Sequence, residues 1–367
     1  MTTIDSTSAG RRPIARAISA VQDRSGRLLA LRFVSILWLL IATFCYFAAA
    51  APNFATVANL RAMLAGASVT WLVAIGTTFV MILGNFDLSV GSMFTLSGVV
   101  FGELLVSAGL PAVPAILLTL LVCASIGAVL LGLPVGRFKI SFLIVTLGAQ
   151  LLIIGMVNVI SNTKTVSIAD PLVARIGFGD TFGIPNLVLV MVATLGIAHF
   201  VLNHTLFGRD VFAIGGNIAA ARLSGIRVDR TIVTVYAISA LAAAAGGIVQ
   251  VSRISAASPL VGQTILFDAV AAVLLGGTSF SGGSGSVVGT AVGVLFLSTL
   301  SNGLGFMGVA SYWQQIVTGV IVVLAGIAER IQRAGLVSSW RRRRVRAAEL
   351  AATGSGQARP PYDTARR

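Results

Sequence analysis

Long apolar runs separated by short polar segments dominate the pattern of this sequence. A helix that spans a bilayer needs about 20 mainly apolar residues. The first part of the chain has six runs of roughly that length, and each predicts a transmembrane helix. They lie at about 33–51, 62–83, 88–108, 113–133, 140–160 and 184–202.

The second part of the chain continues this pattern with two irregular regions. A polar interruption at 204–230 precedes a seventh run at about 231–251. A short run at 267–275 ends in a glycine-rich segment, and apolar runs return at about 286–300 and 312–328. The short run is either a helix, which gives ten helices, or a re-entrant segment, which gives nine.

The distribution of positive charge favours ten helices. Lysine and arginine concentrate on the cytoplasmic side of membrane proteins. Ten helices with a cytoplasmic N-terminus leave only four of the 26 lysines and arginines outside, whereas nine would place the arginine-rich C-terminus outside. The sequence therefore predicts an all-α, polytopic helical bundle of about ten transmembrane helices in the inner (cytoplasmic) membrane, with both termini cytoplasmic.

Composition supports a membrane protein and argues against nucleic-acid binding. The chain is 56% hydrophobic and 10% charged, with a mean hydropathy of +0.94, whereas soluble proteins carry about 25% charged residues. The net charge of +14 could suggest a nucleic-acid partner. The positive residues lie at the termini and between apolar runs, however, and are not interleaved with aromatic residues.

The sequence contains no complete enzyme motif. The segment 277–284 has the spacing of a phosphate-binding loop, but Gly283 occupies the position of the essential lysine. His199 and His204 are five residues apart, so they do not share a helix face as metal ligands would. We therefore predict no catalytic residue, metal or cofactor, and any ATP hydrolysis belongs to a partner.

Three acidic residues lie at membrane depth, where an ionisable side chain is costly unless it serves a function. Asp87 opens the third run and Asp268 the short one, so each is either functional or a cap for free N–H groups. Glu103 lies inside the third run and is either functional or near the outer interface.

Glycines at four-residue spacing allow helix backbones to approach closely in lipid. The pattern indicates either ordinary helix packing or a movable transport bundle. It occurs at Gly98/Gly102, Gly132/Gly136 and Gly285/Gly289/Gly293.

The segments Leu83–Ser92 and Leu275–Ser284 share Leu, Gly, Ser, Gly and Ser at the same offsets. Glycine-broken segments at matched positions of two halves point to a substrate pathway. Gly and Ser also recur by chance in chains of this composition, which is the alternative explanation.

The polar interruption contains a short predicted helix at 218–223. Gly215 and Gly216 precede it, Asn217 is a candidate N-cap, and Gly225 suits the position after its end. A surface helix between two spans either docks into a partner's groove or lies on the membrane.

This loop resembles the coupling loop of ABC importer permeases of the ribose/xylose/galactose class. The recurring pieces stand here as Gly208-Arg209, Ala213–Asn217 and Ala220–Gly225. Asp87–Ser92 is similar to the Asp-Leu-Ser stretch of that family. The segment Asp268–Gly283, followed by Asn302-Gly303, is similar to its late glycine-rich signature, and the resemblance covers about 59–326.

Two departures from the family pattern are visible. Ile218-Ala219 stands where the family usually has an acidic residue, which affects one docking contact. Asn85-Phe86 replaces a usual Gly-Ile, which marks either a different sugar or drift.

The resemblance implies a type II-like permease subunit that translocates a monosaccharide or related polyol. It implies two cytoplasmic ABC ATPase subunits, a periplasmic or lipid-anchored sugar-binding protein, and a second permease in a homodimer or heterodimer. The permease domain is 33–330 with the coupling loop at 204–230, between an N-terminal tail (1–32) and a basic C-terminal tail (331–367).

The same resemblance suggests two groups of functional residues. The ATPase-coupling group is Arg209, Gly215, Gly216, Asn217, Ala220, Ala221, Arg222 and Gly225. The translocation path is predicted to involve Asp87, Ser89, Ser92, Asp268 and Asn302.

Three other functions remain open from the sequence. The first is a branched-chain amino-acid ABC permease of related architecture. The second is an ion-coupled carrier that works alone, with Asp87, Glu103 and Asp268 as its relay. The third is a structural membrane protein with no transport activity.

Overall fold

The computed structural model describes residues 34–262, 264–327 and 330–331. The predicted N-terminal tail, and the predicted C-terminal tail beyond Ile331, lie outside these residues. The chain divides after Val322 into two compact units. The first unit contains every feature discussed below, apart from residues 323–327 at the end of the last helix.

The described chain is built almost entirely from helices, which we number in chain order. They are α1 Val34–Ala50, α2 Val57–Ile82, α3 Val90–Val106, α4 Ala112–Gly136, α5 Phe142–Ser161, α6 Pro171–Phe178, α7 Asn186–His204, α8 Leu206–Gly216, α9 Ile218–Leu223, α10 Val228–Ile254, α11 Ile265–Leu275, α12 Val287–Phe306 and α13 Ser311–Ile327.

Six of these helices (α2, α4, α5, α7, α10 and α12) are long and apolar enough to cross a membrane. Four shorter apolar helices, α1, α3, α11 and α13, have 10–17 residues each. The predicted polytopic helical bundle is confirmed, and the number of crossings stays a prediction. The predicted break between the short run and the next one is the gap between α11 and α12.

Helices α2 and α10 form the centre of the bundle. Trp71 and Phe79 of α2 and Tyr236 of α10 are fully buried. Hydrogen bonds join α2 to its neighbours, because Trp71 Nε1 donates to Thr194 Oγ1 of α7 at 3.0 Å and Thr78 lies 3.0 Å from Thr290 of α12. In an apolar core such bonds fix the register of packed helices.

The outer helices present apolar side chains to their surroundings. On α5, Leu151 and Val159 are 74% and 76% exposed, and α4 and α7 show similar faces. Contiguous apolar surface of this kind is stable in lipid, where helices satisfy their own backbone hydrogen bonds. These faces therefore fit contact with a bilayer.

Glycines bring α4 and α10 into close backbone contact. A Cβ built on Gly132 would lie 2.7 Å from Val233 Cα, and one on Gly136 would lie 2.8 Å from the carbonyl oxygen of Asp229. The crossing includes a π-helical stretch, Gly127–Gly132, just before Pro134. A wider turn at this place relieves the clash between the proline ring and the preceding carbonyls.

The other predicted glycine pairs also lie at close contacts with neighbouring segments. Gly98 and Gly102 of α3 face Val251 and Ala257, and Gly289 and Gly293 of α12 face Gly276 and Ala272.

The described residues also form four two-residue strands. β1 (Val166–Ser167) pairs antiparallel with β4 (Ala256–Ala257), and β2 (Asp180–Thr181) pairs with β3 (Ile184–Pro185). Arg61 of α2 holds the second pair, since it donates to Asp180 Oδ2 at 3.0 Å and to the carbonyl oxygen of Gly183 at 2.9 Å. The segment 161–185 is thus an ordered connection that also contains α6.

Candidate functional site

The loop between α7 and α10 contains two helices. Asn217 Oδ1 accepts hydrogen bonds from the backbone N–H groups of Ala219 and Ala220, both at 3.0 Å, and so caps α9. Gly225 follows α9 with φ +80° and reverses the chain toward α10. Helix α9 occupies 218–223, the residues predicted for it. Helix α8, capped by Thr205, was missed because Gly208, Arg209 and Asp210 interrupt its short apolar pattern.

Helix α9 exposes apolar residues at both ends. Leu223 is 91% exposed and Ile218 is 48% exposed, whereas Ala221 is buried. Arg222 donates a hydrogen bond to Asp229 Oδ1 of α10 at 3.1 Å, and Arg209 of α8 is exposed. An exposed helix with an apolar tip and nearby arginines has the features of a docking element.

Gly215, at the end of α8, lies directly against two other backbone segments. A Cβ on Gly215 would overlap the carbonyl oxygen of Ile82 and lie 2.6 Å from the backbone nitrogen of Gly283. The Gly283 N–H group itself donates to the Ile82 carbonyl at 2.8 Å. We call this meeting of the α2 end, the α8 end and Gly282–Gly283 the glycine junction.

The glycine junction also joins the two segments of the possible internal repeat. A Cβ on Gly282 would lie 2.6 Å from Gly84 Cα, and the rings of Phe86 and Phe280 have centroids 5.7 Å apart. Gly84 and Gly282 have φ +86° and +81°. The segments Leu83–Ser92 and Leu275–Ser284 are therefore in contact, whatever their sequence relationship.

Asp87 lies between the glycine junction and the core. Its side chain is 4% exposed. Oδ1 accepts from the N–H of Ser89 at 3.0 Å and from Ser89 Oγ at 2.6 Å, and Oδ2 accepts from Ser239 Oγ of α10 at 3.0 Å. These bonds stabilise the buried carboxylate and tie the start of α3 to α10.

A polar cavity of about 310 Å³ lies along the N-terminal half of α2. It contains two of the predicted path residues, Asp268 of α11 and Asn302 of α12, together with Arg253 near the end of α10. The polar lining is completed by Thr70, Ser298 and Ser301. Such a volume is at the lower end of the range for small-molecule sites, and the lining offers both hydrogen-bond donors and acceptors.

A reciprocal amide pair adjoins this cavity. Asn59 Nδ2 donates to Asn302 Oδ1 at 2.9 Å, and Asn302 Nδ2 donates to Asn59 Oδ1 at 3.1 Å. The pair fixes the orientation of the Asn302 amide and joins α12 to the start of α2.

The predicted path residues thus fall into two separate groups. Asp87, Ser89 and Ser92 are buried and hydrogen-bonded near the start of α3. Asp268 and Asn302 line the cavity, toward the other end of α2. The assignment of all five residues to a translocation path stays a prediction.

Comparison with known proteins identifies the family. The family model described as "Branched-chain amino acid transport system / permease component" matches residues 59–326. The chain belongs to this permease family. The match contains α9, the glycine junction, Asp87 and the cavity.

Three curated relatives of the permease, all from Escherichia coli (strain K12), are informative. The ribose import permease protein RbsC is 40% identical over 76% of this chain and 87% of its own length. The L-arabinose transport system permease protein AraH is 31% identical over 91% of this chain and 98% of its own length. The xylose transport system permease protein XylH is 33% identical over 73% of this chain and 83% of its own length. No solved structure matches the permease.

Several cavity residues of the permease were not found from the sequence. Arg253 was counted only as one of four outer charges, and Ser298 and Ser301 were hidden in an apolar run. The spacing of Ser298, Ser301 and Asn302 places them on one helix face, and this is the signal that could have revealed them.

Proposed function

We propose that this chain is the membrane-spanning permease subunit of an ABC importer for a monosaccharide. The observation that carries the proposal is the glycine junction, which puts the exposed coupling segment α8–α9 in direct backbone contact with α2. The sugar class rests on the relatives, which are described as ribose, arabinose and xylose permeases. Those names favour a sugar over a branched-chain amino acid.

The proposal includes partners. Two cytoplasmic ATPase subunits supply the energy, a binding protein delivers the sugar, and a second permease copy completes the path. We place both termini and α9 in the cytoplasm, because this topology leaves few positive residues outside. The exposed residues Leu223 and Ile218 then meet the ATPase groove, with Arg209 and Arg222 near acidic surface.

The proposed mechanism is alternating access. Closure of the ATPases displaces α9, and Gly215 transmits the displacement to Ile82 and Gly283 because backbone touches backbone there. Asp87, bonded to Ser239, carries α3 and α10 along with the loop. The cavity with Asp268 and Asn302 then opens to one side or the other, and its polar groups replace the water around the hydroxyl groups of the sugar.

The test is reconstitution of the permease with its ATPase and binding protein in proteoliposomes. We expect ATP-dependent uptake of a pentose or hexose by the wild type. Replacement of 217–225 by a Gly/Ser linker should abolish uptake while the chain still inserts and binds the other subunits through its remaining surface.

Two outcomes would contradict the proposal. Unchanged uptake in the linker variant would refute coupling through α9. Concentration of a solute by the isolated chain along an ion gradient, without nucleotide, would instead favour the ion-coupled carrier.

A further inference from the structure

A second cationic feature lies at the end of α4 and the start of α10. An open cavity of about 1040 Å³ is lined there by the exposed arginines Arg137, Arg222, Arg227 and Arg230. Asp229 is the single carboxylate among the lining residues that the structure describes, and it pairs with Arg222 at 3.1 Å. Three arginines thus remain around the cavity beyond this ion pair.

The start of α10 adds to the positive potential of this cavity. Arg227 occupies the N-cap position, and no side chain caps the first turn of the helix. The N-terminus of a helix carries a partial positive charge and normally attracts acidic residues. Asp229, the acidic residue of this first turn, is paired with Arg222, and Arg227 and Arg230 flank the start of the helix, so the side chains and the backbone together still favour a bound anion.

The position and the apolar part of the lining of the cavity indicate what kind of anion fits. Arg137 directly follows the last residue of α4, and Arg227 directly precedes α10, so both lie at the ends of helices that are long enough to cross a membrane. The lining also contains apolar residues of both helices, Leu133 and Val233. One turn before Leu133, Val129 is 62% exposed on α4.

We infer that this arginine cluster binds the headgroup phosphate of an anionic phospholipid, whose acyl chains lie along the exposed apolar side of α4. Basic pockets between helices at a membrane surface bind such headgroups. An acidic protein surface would satisfy the arginines, but it would not use the apolar lining at Leu133 or the exposed apolar side of α4 beyond it. The site is at the opposite end of α10 from Arg253 and is independent of the proposed sugar path.

The experiment compares lipid binding by the purified full-length chain after delipidation, measured by native mass spectrometry. The probes are palmitoyl-oleoyl phosphatidylglycerol and the matching phosphatidylcholine. The variant is R137Q/R230Q, which leaves Arg222 of the coupling segment intact. The matched control is R175Q, an exposed arginine on α6.

We expect wild type and R175Q to prefer phosphatidylglycerol. The R137Q/R230Q variant should lose about tenfold or more in phosphatidylglycerol affinity, because each arginine near an anionic surface contributes on the order of fivefold. Its weak affinity for phosphatidylcholine should not change, which also shows that the variant is folded.

Three results would overturn the inference. The first is equal binding of both lipids by the wild type. The second is unchanged phosphatidylglycerol affinity in R137Q/R230Q; if this variant also fails to co-purify with the ATPase, the cluster is a protein-docking site. The third is displacement of the lipid by glycerol 1-phosphate at similar concentration, which would assign a small-anion site.

Discussion

Ser239 Oγ donates a hydrogen bond of 3.0 Å to Asp87 Oδ2, and so joins the loop before α3 to the middle of α10. Both residues are buried, and 152 positions separate them along the chain. The bond matters because a buried carboxylate depends on each of its donors. Asp87 also directly follows Phe86, whose ring contacts Phe280 at the glycine junction.

Replacement of Ser239 by alanine should therefore destabilise the fold. Leaving a buried hydrogen-bond acceptor without its donor costs about 1–3 kcal/mol, and S239A should lower the free energy of unfolding by that amount. The measurement is unfolding in detergent. S125A is the matched control, because the hydroxyl of Ser125 bonds only to the carbonyl of Leu121 on an exposed face; equal effects in both variants would contradict the role of Asp87.

A methyl group at Gly215 should uncouple transport. The added Cβ cannot fit between Ile82 and Gly283, so G215A must separate these backbones. We expect sugar uptake in the assembled transporter to fall by tenfold or more, about 1.4 kcal/mol or above, while ATP hydrolysis continues. The adjacent Gly216 offers the control, since nothing lies within 4 Å of its added Cβ; equal loss in G216A would show that the junction is not the cause.

The cavity residues should control uptake without controlling stability. Arg253 is exposed and lines the cavity, so R253Q should leave the melting temperature unchanged. We expect its uptake rate to fall about tenfold, because the lost cation weakens sugar binding by ~1.4 kcal/mol. R175Q, on α6, should transport normally. Normal uptake by R253Q would remove this cavity from the proposed path.

Two glycine-to-alanine substitutions, one at the crossing of α4 and α10 and one on α5, should change the stability of the protein differently. G132A places a Cβ 2.7 Å from Val233 Cα and should destabilise the protein by about 1–3 kcal/mol through overpacking. G148A on α5 meets nothing within 4 Å and should leave stability unchanged or raise it by up to ~1 kcal/mol. Thermal unfolding of the two variants at matched expression distinguishes these outcomes; similar destabilisation of both would argue against the close crossing.

The sequence predicted the helices well because apolar runs and their glycine or polar ends are local signals. The N-cap at Asn217 and the reversal at Gly225 were found for the same reason. What could not be predicted is which distant segments meet. The contacts of Gly215 with Ile82 and Gly283 depend on the packing of three elements, and no local pattern encodes them.

The candidate site shows the same limit. Asp268 and Asn302 were chosen from family resemblance, and they lie in one cavity. Arg253 was missed because its role depends on where the end of α10 falls relative to α11 and α12. Asp87 was weighed as a helix cap or a functional residue, and the bond from Ser239 shows a third possibility, a tie between helices.

The placement of α2 limits how motion can spread through the permease. Helix α2 borders the cavity at Thr70 and ends at Ile82 in the glycine junction. These two residues are about 18 Å apart along the helix axis, at 1.5 Å per residue. An α-helix resists stretching along its axis, because each step would lengthen several hydrogen bonds at once. A displacement of Ile82 along the axis of α2 should therefore move Thr70 by nearly the same distance.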